Sequence, residues 1–191
     1  MQIFNTGNKS VNLYLLKSST HNFLIDTGFP STMNNLGRSI RQAGIQLKEI
    51  DWVMVTHFHP DHAGCIQELK NEGVQFIAVD LQVPFIDGME LMMMEKWHYQ
   101  SLNRADNRII SIDESRAFLK SLSIDGEFIF TPGHSDDSVS ILLDKGEVFT
   151  GDLTAAFLTD FDPIAQQSWR LLKERGAKVV YPSHGTPYNL I

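Results

Sequence analysis

Residues His57, His59, Asp61 and His62 put three imidazoles and one carboxylate into six consecutive positions. Neutral imidazole and carboxylate are ligands for Zn²⁺, Fe or Mn²⁺, and no thiolate stands among them. The apolar run Trp52-Val53-Met54-Val55 comes just before. It reads as a buried strand, so the cluster falls where a strand ends and a loop begins. A strand end holds side chains rigidly and leaves one side open, which is what a catalytic metal site requires.

Three other polar spots follow strand-like runs in the same way. Phe128-Ile129-Phe130 leads to Thr131-Pro132-Gly133-His134, Val148-Phe149-Thr150 leads to Gly151-Asp152, and Val179-Val180-Tyr181 leads to Pro182-Ser183-His184-Gly185. Each loop sets Gly or Pro beside a metal-capable residue, and such residues allow tight turns that bring several loops to one point. Five of the seven histidines occupy these spots, too many for incidental loop residues. His21 and His98 fit no such pattern and read as ordinary surface or core residues. Cys65 reads as a small packed residue rather than a ligand.

The elements that must carry these loops can be read from pattern. Val11 to Leu16 and Asn22 to Ile25 flank the polar turn 17–21, a hairpin signal. A helix is expected from about Ser31, taken as its N-cap, to Ala43, with Gly44 as the stop. Further strands are expected at 74–79, 108–112, 138–143 and 178–181, with a tight turn at Asp144-Lys145-Gly146. A short helix over 66–70 ends by Gly73, and a last helix spans about 163–174. The Met-rich segment at about 81–104, with Met89, Met92, Met93 and Met94, reads as helix from Gly88 onward. It is either core or a wall of a substrate pocket, because methionine adapts its shape to apolar ligands. Pattern alone points to two mixed sheets covered by helices, an α/β fold in one domain spanning 1–191.

Composition bounds the function. The 191 residues carry a formal charge of -7 and a pI near 5.4. This argues against a nucleic-acid surface, which needs basic patches. A single cysteine excludes an internal disulfide. The first residues have no charged-then-apolar signal pattern, and no apolar run approaches the ~20 residues of a membrane span. A cytoplasmic protein with a small-molecule substrate and no membrane partner is the expectation.

His-x-His-x-Asp-His, then Pro-Gly-His, Gly-Asp and Ser-His-Gly, in that order, resemble the metallo-β-lactamase superfamily; Asp26-Thr27-Gly28 matches a motif that precedes the His cluster there. The resemblance runs from Asp26 to His184. It implies an αββα sandwich with two divalent metal ions between the sheet ends, zinc in first place and iron or manganese as alternatives. It implies that His57, His59 and His134 bind the first metal, Asp61, His62 and His184 the second, and that Asp152 bridges them. Two metals about 3.5–4 Å apart would lower the pKa of a bridging water and polarise a substrate oxygen. Asp61 would orient the resulting hydroxide and handle its proton. Asp26 would hold a ligand or loop from behind. Phe29, Met92 and Met93 are the residues proposed for a substrate pocket.

Departures from the subfamilies narrow the reading. Asp152 stands where common β-lactamases carry cysteine. His59 stands where the flavin-associated di-iron members carry glutamate. The hydroxyacylglutathione hydrolases (glyoxalase II) resemble this chain at all seven metal positions. Their glutathione-gripping extension would follow His184, and this sequence ends seven residues after it. The expected substrate is therefore a small thioester, ester or lactone other than a glutathione conjugate. A second reading is a persulfide dioxygenase-like oxidoreductase with one iron on His57, His134 and Asp152. A third is a non-enzymatic module that senses a metal or ligand.

Overall fold

The computed structural model describes residues 1–190. The strands are β1 (Gln2–Asn5), β2 (Tyr14–Lys17), β3 (Asn22–Ile25), β4 (Trp52–Met54), β5 (Gln75–Val79) and β6 (Arg108–Ile110) in one sheet, in that spatial order. The second sheet has the order β11-β10-β9-β8-β7, from β7 (Gly126–Phe130), β8 (Val139–Leu143), β9 (Glu147–Gly151), β10 (Val179–Pro182) and β11 (Tyr188–Asn189). Both sheets are mixed. In the first, β1–β2 and β2–β3 pair antiparallel, and β3 to β6 pair parallel. In the second, β9 and β10 pair parallel and the other pairs are antiparallel.

The sequence dictates four layers through a simple alternation. Successive strand residues face opposite sides of a sheet. Phe23 and Ile25 of β3 face the core between the sheets, while Leu24 faces the outer core. Met54 and Val53 divide in the same way on β4. On β8, Ile141 and Leu143 point between the sheets and Leu142 points outward to a third core. Strands buried on both faces read as continuous apolar runs, which is why these are legible in the sequence. The helices cover the outer faces. α1 (Met33–Gln42), α3 (Ile66–Asn71) and α4 (Ile86–Lys96) pack on the first sheet through Leu36, Ile40, Ile66, Leu69 and Ile86. α6 (Pro163–Glu174) packs on the second through Ala165, Trp169 and Leu172. α5 (Ser115–Ser121) inserts Phe118 and Leu119 into the core between the sheets. This is the expected αββα sandwich.

Several boundaries differ from the sequence reading. Val11 and Leu13 are buried, but pairing starts only at Tyr14, because Asn12 is engaged elsewhere: its N–H donates to Ser183 O at 2.7 Å. Ser31 is not the cap of α1. It adopts a left-handed φ of 66°, its hydroxyl donates to His98 O, and Thr32 takes the N-cap position. The Met-rich segment is helical only over Ile86–Lys96, preceded by a 3₁₀ stretch at Asp80–Phe85; beyond Trp97 the chain leaves the helix. β1, β11, α5 and the four-residue α2 (Pro60–Ala63) have no counterpart in the sequence reading. Among the described residues no helix is long and apolar enough to cross a membrane.

Candidate metal centre

Five of the seven cluster residues sit in loops that follow the C-terminal ends of strands. His57 and His59 follow β4, His134 follows β7, Asp152 follows β9, and His184 follows β10. Asp61 and His62 lie on α2, which starts with Pro60 at its first position and His59 as N-cap. Proline suits that position, since its missing N–H has no helical partner there and its φ is already helical. Gly151 ends β9 at a left-handed φ of 56°, and a Cβ there would lie 2.6 Å from Thr56 Oγ1. Only glycine lets this strand end pass that close behind His57.

The loops bring two groups together. The ligand atoms of His57, His59 and His134 lie within 4.8 Å of one another, and so do those of Asp61, His62, Asp152 and His184. Asp152 touches both groups. Its Oδ2 is 3.6 Å from His134 Nε2, 3.4 Å from His62 Nε2 and 3.3 Å from His184 Nε2. Asp61 Oδ2 is 3.3 Å from His184 Nε2 and 3.6 Å from His62 Nε2. His134 Nε2 and His59 Nδ1 are 3.0 Å apart.

The ring orientations are set from behind. His184 Nδ1 donates to Ser10 O at 2.7 Å, so its Nε2 faces the cluster with a lone pair. His62 Nδ1 lies 2.9 Å from Asp26 Oδ2, which again turns Nε2 inward. Asp26 is buried and also accepts from the Thr56 N–H at 2.7 Å, the Thr56 hydroxyl and, at 3.2 Å, the Ser183 hydroxyl. One carboxylate thus ties together the ends of three strands. Asp26 has a left-handed φ of 65°, a conformation that Asp tolerates better than most residues.

Whether these groups fit metal ions can be tested on the donors themselves. His57 Nε2, His62 Nε2 and Asp152 Oδ1 are buried and have no hydrogen-bond partner among the described residues. Buried polar atoms without a partner are costly, and cations held in the two groups would satisfy them. Burial and the neighbouring imidazoles hold His57 well below the usual histidine range, and His59 shifts the same way for the same causes. Those rings are neutral, as ligands must be. Burial pushes His62 down, but Asp26 and Asp152 outweigh it and raise it to about 10, so this ring is protonated at neutral pH until a cation displaces the Nε2 proton. Burial pushes the Asp152 carboxyl up, but His62, His184 and His134 hold it below the ordinary value. The donor set of imidazole and carboxylate fits zinc, iron or manganese alike.

Two side chains absent from the sequence reading hold the His57–His59 loop. Asp137 is buried; its Oδ2 accepts from the Phe58 N–H at 2.7 Å and its Oδ1 from the Ser135 hydroxyl at 2.8 Å. Gln82 is fully buried and donates to Val55 O, Thr56 O and Asp137 O. The pair clamps the His57 loop to the His134 loop. Asn12 does the same for His184, donating to Pro182 O at 2.9 Å and Gly185 O at 2.8 Å. The acidic pair Asp136-Asp137 close after His134 was the one signal in the sequence; nothing there marked Gln82 or Asn12.

The residues expected in a substrate pocket scatter. Phe29 is half-buried and packs its ring against Trp97 at 6.1 Å. Met93 is fully buried, so it belongs to the packing under α4 and cannot meet a substrate; Met92 is half-buried. Neither lines the cavity of about 310 Å³ beside His59, whose methionine is Met89. Cys65 is buried, and its thiol donates to Phe29 O. His21 and His98 stand outside both ligand groups.

An αββα sandwich with such a cluster at the sheet ends defines a class, and the comparisons agree. The sequence matches the metallo-beta-lactamase superfamily over residues 6–184, and the chain belongs to that superfamily. A Caenorhabditis elegans protein named Beta-lactamase-like protein 2 homolog is 25% identical over 93% of this chain and 56% of its own length. The Atrochrysone carboxyl ACP thioesterase of Aspergillus fumigatus is 27% identical over 93% of this chain and 51% of its own. The chain thus spans about half the length of these curated relatives. The Probable metallo-hydrolase YqjP of Bacillus subtilis is 26% identical over 92% and 67%. Among solved structures, TTHA1623 in a di-iron-bound form superposes with a TM-score of 0.73 at 22% identity, covering 99% of this chain and 94% of that one. A metallo-beta-lactamase family protein from Thermus thermophilus gives the same score at 19% identity, covering 98% and 74%.

Proposed function

We propose that this chain is a dinuclear metal hydrolase acting on a small thioester, ester or lactone. The observation that carries the reading is Asp152, whose Oδ2 lies within 3.6 Å of a nitrogen from each ligand group. His57 Nε2, His59 Nδ1 and His134 Nε2 would hold one ion. Asp61, His62 Nε2 and His184 Nε2 would hold the other, with Asp152 between. Divalent ions bound there supply Lewis acidity and lower the pKa of water toward neutrality.

The side chains supply the rest. Asp26 and Ser10 O orient His62 and His184 so that Nε2 of each ring faces the ligand cluster. Asp61 is only partly exposed, and its carboxylate accepts the proton that attacking water must lose. A second group of four candidate ligands stands beside the first, which supports a two-ion hydrolase over a single-iron oxygenase. The names thioesterase and metallo-hydrolase among the relatives support the acyl-transfer class. The test is hydrolysis of a thioester, ester and lactone panel by protein purified without chelator. Turnover lost to chelator and restored by metal is the expected result. Oxygen consumption with a persulfide and no hydrolysis would replace this reading with the oxygenase.

A further inference from the structure

A cavity of about 310 Å³ opens beside His59, and the ring of that residue forms part of its wall. The other walls are the aromatic and aliphatic side chains of Phe58, Phe85 and Met89, with the bare backbone of Gly88 on α4. Phe85 is 39% exposed and gives the cavity its open apolar side, while Phe58 and the half-buried Met89 line it with one face and pack against the outer core of the first sheet with the other. The size lies at the small end of sites for small molecules, and the mostly apolar lining is what such sites use. The one charged group on the rim besides the clamp residue Asp137 is Asp136, which is exposed.

We infer that this cavity is the specificity pocket of the hydrolase, and that it takes an apolar, uncharged acyl substituent whose carbonyl lies at the His59 end. The inference rests on the hydrolase reading for the chemistry, but the pocket itself rests on the cavity. His59 is the one residue of either ligand group on this wall, and its ring is the link from which we argue that a group seated here belongs to a molecule reaching the cluster. Asp136 and the overall charge of -7 disfavour an acyl chain that ends in a carboxylate. Met89 gives the wall an adaptable surface, so a range of chain lengths can be accommodated.

Gly88 offers a direct test. A Cβ at this position meets nothing within 4 Å, so a larger side chain enters open space without clash. Replacing a helical glycine also favours the helix. The experiment compares kcat/KM for octanoyl and acetyl thioesters with the metal-loaded full chain. In Gly88→Leu the octanoyl-to-acetyl ratio falls about tenfold, the effect of displacing roughly two buried methylenes, while Tm is no lower than in wild type. In Met89→Ala the preferred chain length moves upward. An unchanged ratio in both variants overturns the pocket. A thioester whose acyl chain ends in a carboxylate is turned over at least tenfold less efficiently than octanoyl, and Asp136→Asn narrows the gap; equal turnover overturns the charge argument. Binding is read separately by NMR of protein carrying methyl-labelled methionine. Octanamide shifts the Met89 methyl signal, assigned by its loss in Met89→Ala, and acetamide does not. No octanamide shift at Met89 overturns the pocket even where hydrolysis is found. A shift without hydrolysis of any thioester or ester removes the hydrolase reading and upholds the pocket.

Discussion

Asp26→Asn isolates the charge behind the ligand cluster. Asparagine has nearly the same volume and tolerates the left-handed backbone at this position, so neither packing nor backbone strain changes. The Thr56 and Ser183 hydroxyls can rotate to suit a new partner, but the Thr56 N–H and the His62 Nδ1–H cannot. The amide oxygen satisfies the Thr56 N–H, which leaves the amide N–H₂ facing His62. To avoid two opposed donors, His62 must carry its proton on Nε2, and that nitrogen then has no lone pair for a metal. Losing one buried charge-assisted hydrogen bond costs about 1.5–3 kcal/mol. For a chain of this size that lowers Tm of the metal-free protein by roughly 4–10 °C. The misdirected ring weakens the second metal site by roughly 10–100-fold. The first site, on His57, His59 and His134, keeps its affinity. Zinc titration of chelator-stripped protein by calorimetry, with a thermal melt beside it, reads both effects. An Asp26→Asn protein that binds both ions as wild type does, with unchanged Tm, would refute the role given to this carboxylate.

Asp61→Asn keeps the fold and, measured with excess zinc so that loss of a ligand charge is offset, lowers kcat by roughly 10²–10⁴-fold as the proton acceptor disappears; full activity at neutral pH would remove Asp61 from the chemistry. Asp137→Ala leaves the buried Phe58 N–H without a partner and destabilises the chain by about 1–3 kcal/mol; with cobalt bound, its absorption spectrum shifts because His59 is freed, and a wild-type spectrum would make Asp137 a purely structural group. The Cys65 thiol is pushed up to about 11 by burial. An unfolded chain ionises near the ordinary thiol value, so stability from this group is complete below about pH 9 and falls as pH rises toward 11, by about 3 kcal/mol in all. Urea melts of wild type and Cys65→Ser across pH 8 to 11 read this as a wild-type-only loss; parallel curves would contradict it.

The parts legible in the sequence were those whose physics is local. Val53 and Met54 sit on a strand buried on both faces, so the run announces itself, and the ligand residues follow such runs directly. Short edge strands such as β11 have two residues and no such pattern. The supporting residues were hidden for another reason: Asp137 meets Phe58 across 79 positions and Asn12 meets Gly185 across 173. A hydrogen bond across that separation leaves no periodicity to read. Met93 was misjudged because composition cannot tell which face of α4 turns inward; the fold buries Met93 and turns Leu91 and Met94 to solvent.

If Asp152 joins two ligand sets, the chain holds two ions. Native mass spectrometry of the chain, stripped by chelator and then given excess zinc, counts them. Two ions per chain are expected in wild type and a weakened second ion in His184→Ala, whose Nε2 belongs only to the second group. A wild-type chain that takes up at most one ion, with His184→Ala indistinguishable from it, would rule out the dinuclear site.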